Sequence, residues 1–416
     1  MPPIRILHFA DLHVGMERHG RIDPATGLNS RVMDFLRRLS DLIEYAVAKD
    51  VDMVIFAGDA YKNRDPNSTY RREFSWRIKE FADRGIPVVL IPGNHDLPAV
   101  AARASSIEVF DTLDVPNVHV LDHEHLATLQ TKRGDPIQIA AIPYPLTSEL
   151  LSNEEYRSVS LEALDSLVSD KLAEVIQALA DQAQQQPDIP TVLVGHFSVD
   201  DARVGSERGI MVGRDVVVPR SVLIDPAWDY VALGHVHKYQ DLNKDAQPPV
   251  VYSGSVERID FGEEREPKGW VLAEIDRGHT TYEFVPHHKR EARRFVTINC
   301  DCREAADPTD AAIKAIQRRE VKDAIVRMRL RLRSDQDALL KERTIRAALA
   351  ESFSIAGIVK EIDWGVRSRL GEVNVESMTP LELLERYFQV SDVPQEQGER
   401  LMQDAQTIVR EVDGQG

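Results

Sequence analysis

The chain has 416 residues, 43% of them hydrophobic and 29% charged, enough for two or three domains around a large core. Its 51 basic residues are outnumbered by 68 acidic ones, a net charge of −17 that disfavours broad non-specific nucleic-acid binding unless bound cations reverse the local sign. No apolar run approaches the roughly 20 residues of a membrane span, and two cysteines one residue apart, Cys300 and Cys302, make no disulfide framework, so a reducing cytoplasm fits best.

The opening MPPIRILHFADLH lacks a basic n-region and a cleavage site, and reads as a first strand, not a signal peptide. Strand 4–10 ends in Asp11-Leu12-His13, where period-two alternation sends Asp11 and His13 to one side. Asn29 or Ser30 caps a helix carrying Val32, Phe35, Leu36, Leu39, Leu42, Ile43 and Val47 at three-four spacing. Strand 51–57 ends in Gly58-Asp59, a helix over 69–84 is stopped by Gly85, and the run IPVVLIP (86–92) breaks into Gly93-Asn94-His95-Asp96. Short apolar runs bounded by turn residues read as strands buried on both faces, and their alternation with helices as a layered α/β domain.

Strand IAAIPY (139–144), helix 161–186, and strands 191–194 and 229–233 follow, the last two ending in Gly195-His196 and Gly234-His235-Val236-His237. Strands 250–253, 269–275 and 281–286 close the sheet. The basic stretch 289–294 reads as a linker. A smaller unit then runs strand 295–299, helix 308–319, strand 324–333, helix 337–352, strand 359–364. Arg327, Arg329, Arg331 and Arg333 share one strand face opposite Val326, Met328, Leu330 and Leu332, a half-buried sheet with a basic outer side. Helix 380–388, with Leu381, Leu384 and Phe388 on one face, and helix 395–412 end the chain. His123/His125 and His287/His288 read as surface pairs, and Cys300 and Cys302 as structural.

Asp11, His13, Asp59, Asn94, His95, His196, His235 and His237 all stand at ends of apolar strands, where ligands bind in such sheets. Two carboxylates, four imidazoles and one amide oxygen suffice for two metals if one carboxylate bridges. Oxygen and nitrogen donors without thiolate favour Mn²⁺, Fe²⁺ or Zn²⁺ over Ca²⁺. Two such ions stabilise the attacking and leaving oxygens of an in-line phosphoryl displacement. His95, beside Asn94 but pointing elsewhere, is left to act as general acid.

D-x-H, GD, GNHD, GH and GHxH, in this order, resemble the motifs of the calcineurin-like metallophosphoesterases. More narrowly, LHFADLHVG, FAGDAYKNRDP, IPGNHD, GHFSV, ALGHVHK and YSGSVERIDFGEEREPKGW look like the bacterial SbcD-type exonucleases, counterparts of the meiotic recombination eleven repair nucleases. The resemblance implies a four-layer α/β/β/α sandwich over residues 1–288, a DNA-capping domain over 295–366, and C-terminal helices (375–416) that dock on an SbcC-type ABC ATPase. It implies Asp11, His13, Asp59 and His237 on one metal, and Asp59, Asn94, His196 and His235 on the other. Manganese is the implied ion and His95 the catalytic acid. Many relatives carry a histidine where this chain has Lys62, which can contact phosphate as a point charge. Arg18, Arg21, Arg64, Arg258 and Arg265 are further candidate phosphate contacts.

The function implied is a Mn²⁺-dependent DNA nuclease, with double-strand exonuclease and single-strand or hairpin endonuclease action in double-strand-break repair. It would work as a homodimer through helices near 69–81 and 99–110. A small-molecule metallophosphodiesterase is the alternative, and a DNA-tethering scaffold with a decayed site a weaker one.

Overall fold

The computed structural model describes residues 2–98, 103–145, 161–205, 216–287, 292–363, 378–391 and 393–413. Two compact units emerge: Met1–Thr297 with Val321–Arg327 and Glu351–Gly357, and Ile298–Glu320 with Met328–Ala350 and Ile358–Gly416. The first begins β1 (Ile4–Phe9), α1 (Ser30–Ala48), β2 (Met53–Phe56), α2 (Ser68–Asp83), β3 (Val88–Leu90), α3 (Val109–Thr112), β4 (Val118–Val120), β5 (His125–Gln130), β6 (Pro136–Ile142) and α4 (Leu161–Ala183). It continues β7 (Thr191–His196), β8 (Ser198–Val199), β9 (Val217–Val218), β10 (Tyr230–Gly234), β11 (Gln240–Asp241), β12 (Val250–Tyr252), β13 (Gly269–Asp276) and β14 (His279–Pro286).

These strands make two six-stranded sheets, β14-β13-β1-β2-β3-β4 and β11-β12-β10-β7-β6-β5, and a two-stranded one, β8-β9. β1 to β4 run parallel, as do β6, β7, β10 and β12, while β13, β14, β5 and β11 are antiparallel additions at the edges. Alternation explains the continuous apolar runs. Ile6, Met53, Ile55, Val89, Val192, Val194, Tyr230 and Ala232 form one cluster between the sheets. Their neighbours Leu7, Phe9, Val54, Phe56, Val88 and Leu90 face α1 and α2, and Leu193, Val231 and Leu233 face α4. The layers are therefore helices, sheet, sheet, helix, with every central strand buried on both faces.

Asn29 caps α1 by accepting from the Arg31 amide, and Asn67 caps α2 from the Tyr70 amide. Helix 99–110 is not seen as expected: residues 99–102 lie outside the described residues, 103–105 are irregular, 106–108 are a turn, and only α3 is helical. Ser106 causes this, because its hydroxyl and amide both bond Asp96, at 3.1 and 2.9 Å.

Strands β15 (Phe295–Asp301), β16 (Ile325–Arg333) and β17 (Ser354–Asp363) form one sheet in that order. Val326, Met328, Leu330 and Leu332 are buried, with Arg329, Arg331 and Arg333 exposed, but Arg331 pairs with Glu361 and Arg333 with Asp335. In the second unit α5 (Pro308–Gln317) packs on α6 (Glu342–Ala348), and α7 (Pro380–Val390) on α8 (Gln395–Asp413). The expected helix 337–352 is split into a 3-10 turn (Ser334–Leu339) and α6. Gln336 pins the turn by donating to the Cys302 and Ala305 carbonyls, each at 2.8 Å.

Two further expectations are corrected. His287 is half-buried, bonding the Val256 carbonyl at 2.5 Å and packing edge-on against Trp270, whereas His123 and His125 are exposed. His288 lies outside the described residues. Of stretch 289–294, residues 289–291 also lie outside them, and Arg293 is no linker residue. Its guanidinium grips the Asp34 carboxylate at 2.9 and 2.7 Å and lies over the Phe353 ring. Buried Arg31 takes the same carboxylate at 2.7 Å. Burial pushes the Asp34 carboxyl up, but these two guanidiniums outweigh it and hold it below the usual range. A depressed carboxyl stabilises the fold above its ordinary pKa and loses that contribution as pH falls through the folded value. Asp34→Asn leaves buried Arg31 and half-buried Arg293 facing a neutral amide, so urea unfolding at pH 7 should show a loss of about 3–5 kcal/mol, shrinking as the pH is lowered below about 4.

Candidate active site

The carboxyl ends of β1, β2 and β3 in one sheet, and of β7 and β10 in the other, meet at one buried cluster. Asp11 and His13 follow β1, Asp59 follows β2, Asn94 and His95 follow β3, His196 ends β7, and His235 and His237 follow β10. All eight are buried, His95 least at 7% exposed. Asp11, His13, Asp59 and His235 have φ of 52, 46, 62 and 91°, the left-handed region that costs non-glycine residues roughly 1–3 kcal/mol each and clusters at functional sites.

Glycine permits the close approach of the two sheets. A Cβ on Gly93 would lie 2.2 Å from Asp59 Oδ1 and 2.7 Å from His196 Cε1, and one on Gly58 2.3 Å from His196 Nδ1. Asp96 then fixes the loops together: its carboxylate accepts from the amides of Asp59 (2.8 Å), Ala60 (3.0 Å) and Gly93 (3.0 Å). Burial, then the Asp59 charge, push the Asp96 carboxyl up, to about 6.

Ligand atoms of Asp11, His13 and His237 lie within 4.8 Å of one another, as do those of Asp11, Asp59 and His196, and of His13, Asp59 and His95. His13 Nε2 is 3.0 Å from His237 Nε2 and 3.6 Å from Asp59 Oδ2. His196 Nε2 is 3.2 Å from Asn94 Oδ1 and 3.5 Å from Asp59 Oδ1, and His235 Nδ1 is 3.2 Å from Asn94 Oδ1.

The chemistry of this donor set fits cations. His237 gives its Nδ1–H to Glu263 (2.9 Å) and His196 gives its own to the Ala57 carbonyl (2.6 Å), which leaves the Nε2 of each ring turned toward the other ligand atoms. Asp11 Oδ2 is buried without a hydrogen-bond partner. Burial holds the His13 imidazole well below its usual range. It also opposes charge on His196, but Asp59 overrules it and raises that imidazole to about 9. Positive charge is thus favoured where Asp59, Asn94 and His196 meet, and lone pairs converge on a second point between Asp11, His13 and His237. Oxygen and imidazole donors without sulfur suit Mn²⁺, Fe²⁺ or Zn²⁺.

His95 is held differently. Its amide bonds Asp59 Oδ1 at 2.9 Å, its Nδ1 bonds the Lys62 carbonyl at 2.7 Å, and its ring stands edge-on to His13 at 4.9 Å. Position 62 thus serves the imidazole through its backbone. Arg64 Nε donates to the Asn94 carbonyl at 3.3 Å, and Arg18, Arg21 and Arg265 are exposed. Arg258 does not join the site as a free cation: its guanidinium is spent on the carbonyls of Glu263, Ala292 and Glu266 at 3.2, 3.0 and 2.9 Å.

Sequence reasoning gave Asp96 no role and passed over Glu263 and Lys268. Asp96 is the last residue of GNHD, where the sequence marks a polar side chain in need of partners but not which ones; the other two lie inside GEEREPKGW, and acidic and basic residues in a loop block resemble solvated surface until burial is known. Tyr144 was likewise missed; its ring lies 5.8 Å from that of His235.

A family model described as calcineurin-like phosphoesterase matches residues 4–239. The chain is 29% identical over 253 residues to the SbcD subunit of the SbcCD nuclease of Rhodobacter capsulatus, covering 58% of this chain and 59% of that one. It is 28% identical over 279 residues to the same subunit from Bacillus subtilis, covering 66% and 67%. With the DNA double-strand break repair protein Mre11 of Methanopyrus kandleri it shares 24% over 294 residues, covering 68% and 56%. The chain therefore spans between 56% and 67% of the length of these relatives.

A methyl group at position 93 must displace Asp59, whose carboxylate lies beside both His13 and His196. Gly93→Ala should therefore weaken binding of Mn²⁺ at both positions by at least about 10-fold in calorimetric titration. Far-UV circular dichroism should stay unchanged.

Proposed function

Because the chain belongs to the calcineurin-like phosphoesterase family, we propose that it is a Mn²⁺-dependent nuclease that hydrolyses DNA phosphodiesters. The observation that carries this reading is one buried cluster of two carboxylates, four imidazoles and an amide, with a further histidine, His95, anchored beside them. Asp11, His13, Asp59 and His237 would hold one cation, and Asp59, Asn94, His196 and His235 the other. When bound, such a pair supplies the charge that stabilises the attacking and leaving oxygens of a phosphoryl transfer. The pair also supplies the positive field that a chain of net charge −17 lacks.

His95 transfers the proton. With Nδ1 tied to the Lys62 carbonyl, Nε2 is the nitrogen left to protonate the departing oxygen, and that carbonyl steadies the imidazolium before transfer. Arg64, tied by Nε to the Asn94 carbonyl, and half-buried Lys62 are the cations we assign to the phosphate flanking the cleaved bond, and exposed Arg18 to a more distant one. Arg258 is left out, its donors being consumed.

The relatives named for nuclease and double-strand-break repair support DNA as the substrate, at double-stranded ends and at single strands or hairpins. By the same support the chain partners an SbcC-type ATPase and acts on DNA in the cytoplasm. Helices α7 and α8 are the segment we assign to that ATPase. They pack on one another and leave Tyr387, Leu401 and Ile408 exposed, an amphipathic pair suited to a partner helix. Among the described residues no helix is long and apolar enough to cross a membrane. Residues 295–366 would cap the DNA. Helix α2, with Trp76 58% exposed beneath the Arg72 guanidinium, would meet a second copy of the chain.

Linear duplex DNA with Mn²⁺ should be degraded to nucleotides. His95→Gln should lower kcat by about 10²- to 10⁴-fold while Mn²⁺ binding is retained. Turnover of a cyclic nucleotide with DNA left intact would instead favour a small-molecule phosphodiesterase.

A further inference from the structure

The two imidazoles that present Nε2 to the cluster from the second sheet are backed by different groups. His196 gives its Nδ1–H to a neutral acceptor, the Ala57 carbonyl, at 2.6 Å. His237 gives its Nδ1–H to the Glu263 carboxylate at 2.9 Å. Glu263 is 1% exposed and is held in turn by Lys268, 3% exposed, whose ammonium lies 3.1 Å from its Oε2. Lys268 also donates to the His237 carbonyl at 3.0 Å and to Ser255 Oγ at 2.8 Å. The Ile259 amide donates to Glu263 Oε2 at 2.8 Å. A carboxylate and an ammonium are thus buried together, and both touch His237, one through its ring and one through its backbone.

Burying an ion pair contributes little to stability by comparison with an apolar pair of the same volume. A carboxylate on the far nitrogen of a metal-binding imidazole, by contrast, fixes its tautomer and ring orientation and raises its basicity. We propose that Glu263, locked by Lys268, is a positioning residue that selectively strengthens the cation site of Asp11, His13, Asp59 and His237. At the site of Asp59, Asn94, His196 and His235, the Nδ1 of His196 is backed instead by the neutral Ala57 carbonyl. The two positions therefore differ in affinity for a reason built into the segment Arg258–Lys268, outside the strand-end loops that carry the ligands themselves.

This inference rests on the two-cation reading, and calorimetric titration with Mn²⁺ separates the two. Wild type should bind two ions. Binding of none would overturn the metal reading itself. Given two ions, Glu263→Gln should weaken one of them by about 10- to 100-fold and leave the other within about two-fold. Made in a His196→Ala background, the same change should weaken the remaining ion by that factor. In a His13→Ala background it should leave the remaining ion within about two-fold. Equal weakening of both ions, or of neither, would overturn the proposal. Should Glu263→Gln fail to fold because Lys268 is left buried and unpaired, the double change Glu263→Gln with Lys268→Met removes both charges and must give the same one-sided loss.

Discussion

Asp59 is the residue on which the rest depends. Its carboxylate is buried between His13, which follows a strand of one sheet, and His196, which ends a strand of the other. A charge so placed is tolerable only if opposite charge and hydrogen bonds are fixed around it. The fold meets that condition from several directions: the His95 amide on Oδ1, imidazoles on both oxygens, and Asp96 holding the Asp59 backbone from behind. None of these partners is local in sequence except through tertiary structure. The site therefore cannot form until the two sheets lie face to face.

That requirement accounts for the shape of the core. The apolar cluster between the sheets is built from every second residue of β1, β2, β3, β7 and β10, and the same five strands end in the site. Packing that brings Val194 and Ala232 against Ile55 and Val89 also brings His196 beside Asp59. Small residues finish the approach, since Gly58, Gly93 and Gly234 occupy positions where a side chain would strike Asp59, His196 or the Ala57 carbonyl. Strained backbone at Asp11, His13, Asp59 and His235 persists because the surrounding strands leave those residues no other path.

Much of this was legible in the sequence because it is written in period-two alternation and in polar residues placed just after apolar runs. Both are local signals, and they point to the eight polar residues that stand at the ends of β1, β2, β3, β7 and β10. The misreadings share one cause. Helix 99–110, the linker at Arg293, the surface placement of His287 and the phosphate contact at Arg258 were each overturned by a long-range partner: Ser106 bound by Asp96, Arg293 by Asp34, His287 by the Val256 carbonyl, Arg258 by three backbone carbonyls. Glu263 and Lys268 escaped notice for the mirror-image reason. A charged loop reads as solvated until something shows that the loop is buried, and no periodicity carries that information. Arginines and acids in loops are where local pattern says least.

The most direct test of the account is diffraction from crystals grown with Mn²⁺, with anomalous differences recorded at the manganese edge. Two peaks should appear, one touching Asp11, His13 and His237, the other Asn94, His196 and His235, with Asp59 in contact with both. Absence of any peak in the pocket, or a single peak that Asp59 does not touch, would contradict it.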